Sequence, residues 1–100
     1  MRVIAKLAGV SFDDAQENIK KWGLAEIGSF ALVREPDNPH DPNAVRVEFV
    51  GDYLGYLPKG TAKNIAPIMD AGQELIALFI QRNESPFHET MGLIVAVVEC

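Results

Sequence analysis

The sequence predicts a small, mainly antiparallel β-barrel or curled sheet built from six short strands, with two helices between them. An apolar run at 30–33, a polar loop and an alternation of apolar and charged residues at 45–49 predict two strands joined by a loop. Two segments with apolar residues at helical spacing, near 11–22 and 59–71, interrupt the strand pattern. The 100 residues, 48% of them hydrophobic, are enough for one core, so we expect a single domain over residues 1–100.

The strands are predicted from apolar runs and from the turn residues between them. The predicted segments are 1–10, 30–35, 44–50, 53–57, 73–81 and 90–98. Gly51 and Asp52 form a tight hairpin turn between the third and fourth strands. The last strand is apolar almost throughout, which is typical of burial on both faces. Residues 82–89 are predicted to form a polar loop.

Both helices have recognisable ends. Ser11 is predicted to cap the first helix, with acidic residues in its first turn, and Phe12 is expected to make a staple-like contact with the core. Trp22 is expected to pack against the sheet rather than to stack on a ligand. Pro67 lies inside the second helix and is expected to kink it or to divide it into two short pieces.

The loop within residues 34–47, REPDNPHDPNAVRV, is the most distinctive part of the chain. Its three prolines restrict the backbone, and its Asp and Asn side chains can bond to nearby amides, so we expect a stiff loop that holds His40 and Asp41 in one pose. Arg34 is expected to pair with Asp37 or Asp41, and Asn38 to cap a turn. Two interpretations stay open: a plain connection braced by Asx-type bonds, or a pre-organised ligand site.

Composition excludes several function classes. The net charge of −5 argues against a broad basic face that coats duplex DNA, but it leaves room for a small pocket that holds a strand end. The single cysteine, Cys100, allows no internal disulfide and no cysteine metal cluster. Prolines occupy ligand positions of a calcium loop, and no cofactor is predicted. Without an apolar run long enough to span a bilayer, or a leader, we expect a soluble cytoplasmic protein with no membrane partner.

Residues 34–45, followed by Gly55-Tyr56-Leu57-Pro58-Lys59, resemble the HIRAN domain, and the resemblance extends over essentially the whole chain. HIRAN domains occur at the N-terminus of Swi/Snf-type helicases that remodel stalled replication forks, and also in bacteria. The resemblance implies an OB-like barrel and, for this chain, a stand-alone bacterial version of the domain. It further implies single-stranded DNA as the partner, in DNA repair or replication-fork processing, together with a helicase or nuclease.

The same resemblance implies roles for the loop residues. The aspartate that matches Asp41 reads a free 3′-hydroxyl, because a carboxylate accepts a hydroxyl proton and repels a terminal phosphate; the alternative is a brace for the loop. His40 stands where the family has an aromatic ring that stacks on a base, and it is equally well read as an ordinary loop histidine.

Four further residues are candidates outside the loop. Lys59 matches a lysine that meets backbone phosphates, and the Tyr56 hydroxyl is placed to donate to the same phosphate. Phe87 falls near a phenylalanine that stacks on a base. Lys6 stands where an aromatic often occurs, so we expect a phosphate contact there instead of stacking. For each of them the plain alternative is an ordinary surface or strand residue.

Three functions follow from these observations. The first is a non-catalytic single-stranded-DNA-binding module that captures free 3′-hydroxyl ends. The second is a protein–protein interaction domain on the same scaffold. It is favoured by the acidic charge and by two departures from the family, at Lys6 and at Ala5, which stands where the family can have a basic residue. The third, a small hydrolase using Asp37, His40 and Asp41, lacks a recognisable nucleophile or metal site, so we expect no enzymatic activity.

Overall fold

The computed structural model describes residues 1–22, 28–85 and 88–100, with the backbone alone at residues 22, 85, 88 and 89. These ranges contain six strands and two helices. They are β1 (Arg2–Lys6), α1 (Ala15–Trp22), β2 (Ser29–Arg34), β3 (Val45–Phe49), β4 (Asp52–Tyr56), α2 (Lys59–Asp70), β5 (Leu75–Ser85) and β6 (His88–Glu99). Neither helix is long and apolar enough to cross a membrane in the part of the chain described.

All six strands belong to one curled sheet in the order β1-β6-β5-β2-β3-β4, and every neighbouring pair is antiparallel. The predicted fold class, a mainly antiparallel OB-like sheet with two helices, is therefore confirmed. Because β1 and β4 are the outer strands of this order, the curl of the sheet brings these two edges towards each other.

The two edges meet just beyond the end of β1. The Ala8 amide donates to the Tyr56 carbonyl, and the Tyr56 amide donates to the Ala8 carbonyl, both at 2.8 Å. Gly55 allows this close approach, since a Cβ atom there would lie 2.8 Å from the Ala8 carbonyl oxygen. The Leu7 amide also bonds to the Leu93 carbonyl at 2.9 Å. Among the described residues, one isolated bridge thus closes the sheet on itself.

The inner face of the curled sheet forms the core. Val45 and Val47 are fully buried, while Arg46 and Glu48, which alternate with them along β3, are not, as the alternation of the sequence predicts. Both helices add apolar residues to the same cluster. Its largest fully buried side chains are Phe30, Ile19, Leu54, Ile65, Leu93, Val45, Val47, Val95 and Val97.

Two predicted helix features are wrong. Helix α1 begins at Ala15, not after a Ser11 cap, because Asp13 has a φ of +49° and such a residue ends any helical run before it. The predicted division of α2 into two short pieces is wrong, because α2 is one helix that contains Pro67, whereas a kink at Pro67 stays a prediction. Pro67 has no amide group to donate to the preceding turn. Only three helical residues follow it, so few helical hydrogen bonds depend on the backbone beyond the proline.

The prediction of a polar loop over 82–89 is also wrong. Strand β5 continues to Ser85 and β6 begins at His88, with Arg82 opposite Leu93 and Asn83 opposite Gly92. Polar side chains do not prevent a two-stranded ribbon beyond the core, because the ladder is made of backbone bonds. Two register shifts, at Phe79/Gln81 and Asn83/Ser85, accompany this extension.

We expect Gly55→Ala to lower the free energy of unfolding by about 2 kcal/mol or more, because the added methyl group meets backbone that cannot move aside. Urea denaturation followed by circular dichroism measures the change. Gly60→Ala is the matched control: it lies in the first turn of α2 with nothing within 4 Å of its Cβ position. It should be neutral or stabilising by up to about 1 kcal/mol. Equal stability of the two variants would contradict the closure argument.

Candidate functional site

The loop between β2 and β3 is held by its own side chains, as the sequence predicts. The Asn38 Oδ1 atom accepts the backbone amides of His40 at 2.8 Å and Asp41 at 3.1 Å. Asp41 Oδ1 accepts the Asn43 amide at 2.9 Å, and the Asp41 carbonyl accepts the Ala44 amide at 3.0 Å. Asn38 therefore caps a turn as expected, and these bonds fix the backbone that carries His40 and Asp41.

Asp41 does brace the loop, but it does so with Oδ1. Among the hydrogen bonds of the described residues, none uses its Oδ2 atom. The side chain is half-buried and lies on a cavity wall. The two interpretations of Asp41 are therefore compatible, because one oxygen can serve the loop while the other accepts a ligand.

Arg34 does not pair with Asp37 or Asp41 as predicted. It forms a two-bond ion pair with Asp70 at the end of α2, with Nε–Oδ1 at 2.9 Å and Nη2–Oδ2 at 3.0 Å. Its Nη1 atom also donates to the Ala44 carbonyl at 2.9 Å. The Arg34 hydrogen bond holds the pKa of Asp70 below its usual range. The partner comes from α2, a helix 36 residues away along the chain, which no local pattern indicates.

A cavity of about 760 Å³ opens between this loop, the β1–α1 turn, β4 and the start of α2. Four predicted site residues line it: His40, Asp41, Tyr56 and Lys59. They come from the β2–β3 loop, from β4 and from the start of α2, so the fold brings together residues from separate segments of the sequence. The remaining lining residues are Ala8, Gly9, Ser11, Phe12, Asp13, Asn38, Ala44, Tyr53 and Leu57.

Two predicted site residues are not in this group. Lys6 is exposed at the end of β1, and its side chain passes over Gly92 of β6, away from the cavity lining. A phosphate contact by Lys6 stays a prediction. Phe87 lies outside the described residues.

Tyr56 and Glu35 form a hydrogen-bonded pair beside the cavity. The Tyr56 hydroxyl donates to Glu35 Oε1 at 2.6 Å, and Asn38 Nδ2 donates to the same oxygen at 3.0 Å. Partial burial opposes ionisation of Glu35, but the hydrogen bonds from Tyr56 and Asn38 and the charge of Arg46 together hold its pKa below the usual range. Burial and the Glu35 carboxylate raise the pKa of Tyr56. The Tyr56 hydroxyl thus stays protonated and serves to hold the loop.

Three aromatic residues, Phe12, Tyr53 and Tyr56, form an aromatic wall of the cavity, and sequence reasoning missed Tyr53. Tyr53 lies 5% exposed, its hydroxyl donates to the Gly9 carbonyl at 2.6 Å, and burial raises its pKa to about 12. Its ring centre is 5.6 Å from that of Tyr56, and the Arg46 guanidinium lies over it at 4.8 Å. The signal in the sequence was a pair of tyrosines on the strand that ends at the Lys59 motif.

Phe12 is the second miss, and the predicted staple-like core contact is wrong. Its side chain is 64% exposed and lines the cavity. The chain turns at Gly9 and Asp13, which both have positive φ, so Phe12 faces outward from a turn rather than inward from a helix. Its neighbours Ser11 and Asp13, both polar, were the available signal of exposure.

The charges around the cavity are few and mixed. Asp13 and Asp41 contribute negative charge and Lys59 positive charge. Lys59 is the first residue of α2, and Pro58 before it provides no side-chain cap, so the amides of this helix end are left to water or a ligand. Within the described ranges no three His, Cys, Asp or Glu side chains are grouped as a metal site would need.

Comparisons with known proteins place this geometry in a family. The sequence pattern of the HIRAN domain matches residues 4–96. The chain belongs to the HIRAN domain family. The predicted resemblance is thereby confirmed, and the family pattern covers both the loop and the cavity residues of β4 and α2.

Two curated relatives carry matching segments. A Fanconi-associated nuclease 1 homolog from Oryza sativa subsp. japonica is 43% identical over 58 residues, which are 54% of this chain and 6% of that protein. The helicase-like transcription factor of Oryctolagus cuniculus is 54% identical over 41 residues, 40% of this chain and 4% of that protein. The HIRAN chain thus corresponds to a small part of each of these longer proteins.

Two solved structures share the fold. A crystal structure of a protein from Lactobacillus plantarum matches with a TM-score of 0.75 and 22% identity, over 100% of this chain and 98% of that one. The crystal structure of the HIRAN domain of human HLTF matches with a TM-score of 0.66 and 21% identity, over 98% of this chain and 74% of that one. At such identities the likeness establishes the fold.

We expect the Glu35–Tyr56 pair to stabilise the HIRAN domain in a pH-dependent way. Because the folded pKa of Glu35 is lowered, its stabilisation is present above the unfolded value of about 4.3 and is lost as the pH falls through the folded value. Glu35→Gln should therefore lower Tm near neutral pH, and its difference from the wild type should shrink on acidification.

Thermal unfolding between about pH 7 and pH 3 measures this difference across the titration of carboxyl groups. Glu74→Gln is the control, since it removes an exposed carboxylate that takes no part in the hydrogen bonds of Glu35 with Tyr56 and Asn38, and it should follow the wild type at every pH. A Glu35→Gln deficit that stays constant down to the lowest pH would contradict the assignment.

Proposed function

We propose that this HIRAN domain is a non-catalytic module that binds single-stranded DNA and captures free 3′-hydroxyl ends, in DNA repair or replication-fork processing. The observation that carries the proposal is that His40, Asp41, Tyr56 and Lys59 line one cavity. A stiff loop, a strand and a helix start deliver them together, and each has chemistry suited to a different part of a strand end.

Family membership supports DNA binding in general. The relatives are a nuclease homologue and a helicase-like transcription factor, two kinds of protein that act on nucleic acids. Because the matched segment is a small part of each, the shared unit fits a targeting module better than a catalytic one. A helicase or nuclease is the proposed protein partner.

The proposed mechanism assigns one task to each group. Asp41, with Oδ1 engaged by the Asn43 amide, offers its second oxygen to the 3′-hydroxyl and repels a terminal phosphate. Lys59 and the uncapped amides at the start of α2 bind a backbone phosphate. His40, exposed on the loop, lies against a base. The Tyr56 hydroxyl reaches a phosphate only by leaving Glu35.

The acidic balance of the chain limits the size of the interface. With a net charge of −5 and one lysine on the cavity wall, few phosphates can be neutralised. Affinity should then fall gently with salt, with a slope that corresponds to about one or two phosphates. Selectivity for an end, rather than tight binding along a strand, is the property that such a site supports.

A second candidate function is protein–protein interaction through the outer face of the sheet. Ile4 of β1 and Leu78 of β5 both pair with Ala96 of β6, and they are 53% and 36% exposed. Together with the negative charge, this apolar row favours a protein surface as partner. Leu78→Lys separates the two functions, because it alters the outer face and leaves the cavity intact.

We expect the protein to bind an oligonucleotide of about ten nucleotides with a 3′-hydroxyl at least about tenfold more tightly than the same strand with a 3′-phosphate. Asp41→Asn keeps the oxygen that accepts the Asn43 amide but removes the charge, so the preference should fall to within about threefold. Fluorescence anisotropy at low and moderate salt measures both constants.

Asp37→Asn is the matched control, since Asp37 is exposed on the same loop and lies outside the cavity lining. It should retain the full preference. If neither strand binds at low salt, the nucleic-acid proposal fails. Binding of a protein partner that is lost in Leu78→Lys would then favour the second function.

A further inference from the structure

Phe12 is an aromatic side chain that is exposed on a hydrogen-bonded turn between β1 and α1. It is 64% exposed, far more than the other aromatic residues of the cavity wall. A single exposed phenylalanine is common on protein surfaces and by itself indicates nothing. Its surroundings distinguish this one.

The backbone on both sides of Phe12 is fixed. Its amide donates to the Gly9 carbonyl at 3.2 Å, and its own carbonyl accepts the Ala15 amide at 3.1 Å. The Gly9 carbonyl also accepts the Tyr53 hydroxyl at 2.6 Å. Gln16 binds the Val10 carbonyl at 2.7 Å and both backbone groups of Met91, at 3.0 and 2.6 Å, which anchors the turn to β6. The Phe12 ring is therefore presented from a rigid turn.

Gly9 joins Phe12 to the rest of the aromatic wall. A Cβ at Gly9 would lie 3.4 Å from the Phe12 ring, 3.5 Å from the Tyr56 ring and 2.7 Å from the Tyr53 hydroxyl. The three aromatic side chains thus surround one glycine. Tyr53 is almost wholly buried, and Tyr56 is half-buried and bonded to Glu35, so Phe12 is the member with a ring face free for a ligand.

We propose that Phe12 is the platform on which the 3′-terminal nucleobase stacks, an inference that rests on the proposed capture of strand ends. Asp41 and Phe12 line the same cavity, so a nucleotide whose 3′-hydroxyl reaches Asp41 can place its base against the β1–α1 turn. Stacking on an aromatic face tolerates every base, because each base has a π-face. Phe12 therefore contributes affinity for the end without sequence preference.

The test is a double-mutant cycle between the ring and the base. The wild type and Phe12→Leu are titrated with a strand that ends in a normal nucleotide and with one whose last nucleotide is abasic but keeps its 3′-hydroxyl. Phe12→Leu should weaken binding of the normal strand by about 5- to 150-fold and leave the abasic strand unaffected within about threefold. Phe12→Tyr keeps the ring face and should bind both strands as the wild type does.

A structural role for Phe12 predicts a different pattern. Phe12→Leu would then weaken both strands equally, which would overturn the proposal while end capture by the wild type stands. If the wild type binds neither strand, the proposed function itself fails and the stacking role fails with it. Equal Tm values for the wild type and both variants exclude unfolding as the cause of any loss.

Discussion

The pairing of Ala8 with Tyr56 is the interaction on which the site depends. Two hydrogen bonds of 2.8 Å close the sheet where its outer strands meet, and Gly55 leaves room for the Ala8 carbonyl. Closure brings the β1–α1 turn against β4, and β4 leads directly to Lys59 at the start of α2. Without it the two ends of the sheet order would stay apart, and the cavity would lose one wall.

Tyr56 couples that closure to the loop. Its backbone pairs with Ala8, while its hydroxyl donates to Glu35 at 2.6 Å. Asn38 donates to the same carboxylate through Nδ2, and its Oδ1 atom accepts the amides of His40 and Asp41. One residue therefore takes part in both the barrel seam and the stiff loop. The site is pre-organised because its polar groups are bonded to each other, and less ordering entropy is lost when a ligand enters.

Much of the fold follows from local patterns, because burial period and turn residues act over a few neighbours. The buried pair Val45 and Val47, the stiffness of the loop and the cap by Asn38 were all predictable in this way. The extension of β5 and β6 beyond the core was not predictable, because backbone hydrogen bonds between strands do not require a particular type of side chain. The continuity of α2 through Pro67 likewise depended on how little helix follows the proline.

For this HIRAN domain, the sequence by itself determined the family, the antiparallel sheet and the candidates His40, Asp41, Tyr56 and Lys59, since these lie in two contiguous motifs. Only the tertiary structure decided which groups share the cavity. It paired Arg34 with Asp70 instead of with a loop residue, placed Lys6 beside Gly92 outside the cavity lining and turned Phe12 outward. The physical reason is that these contacts join elements distant in the chain, and their geometry is set by the closure of the sheet rather than by neighbouring residues.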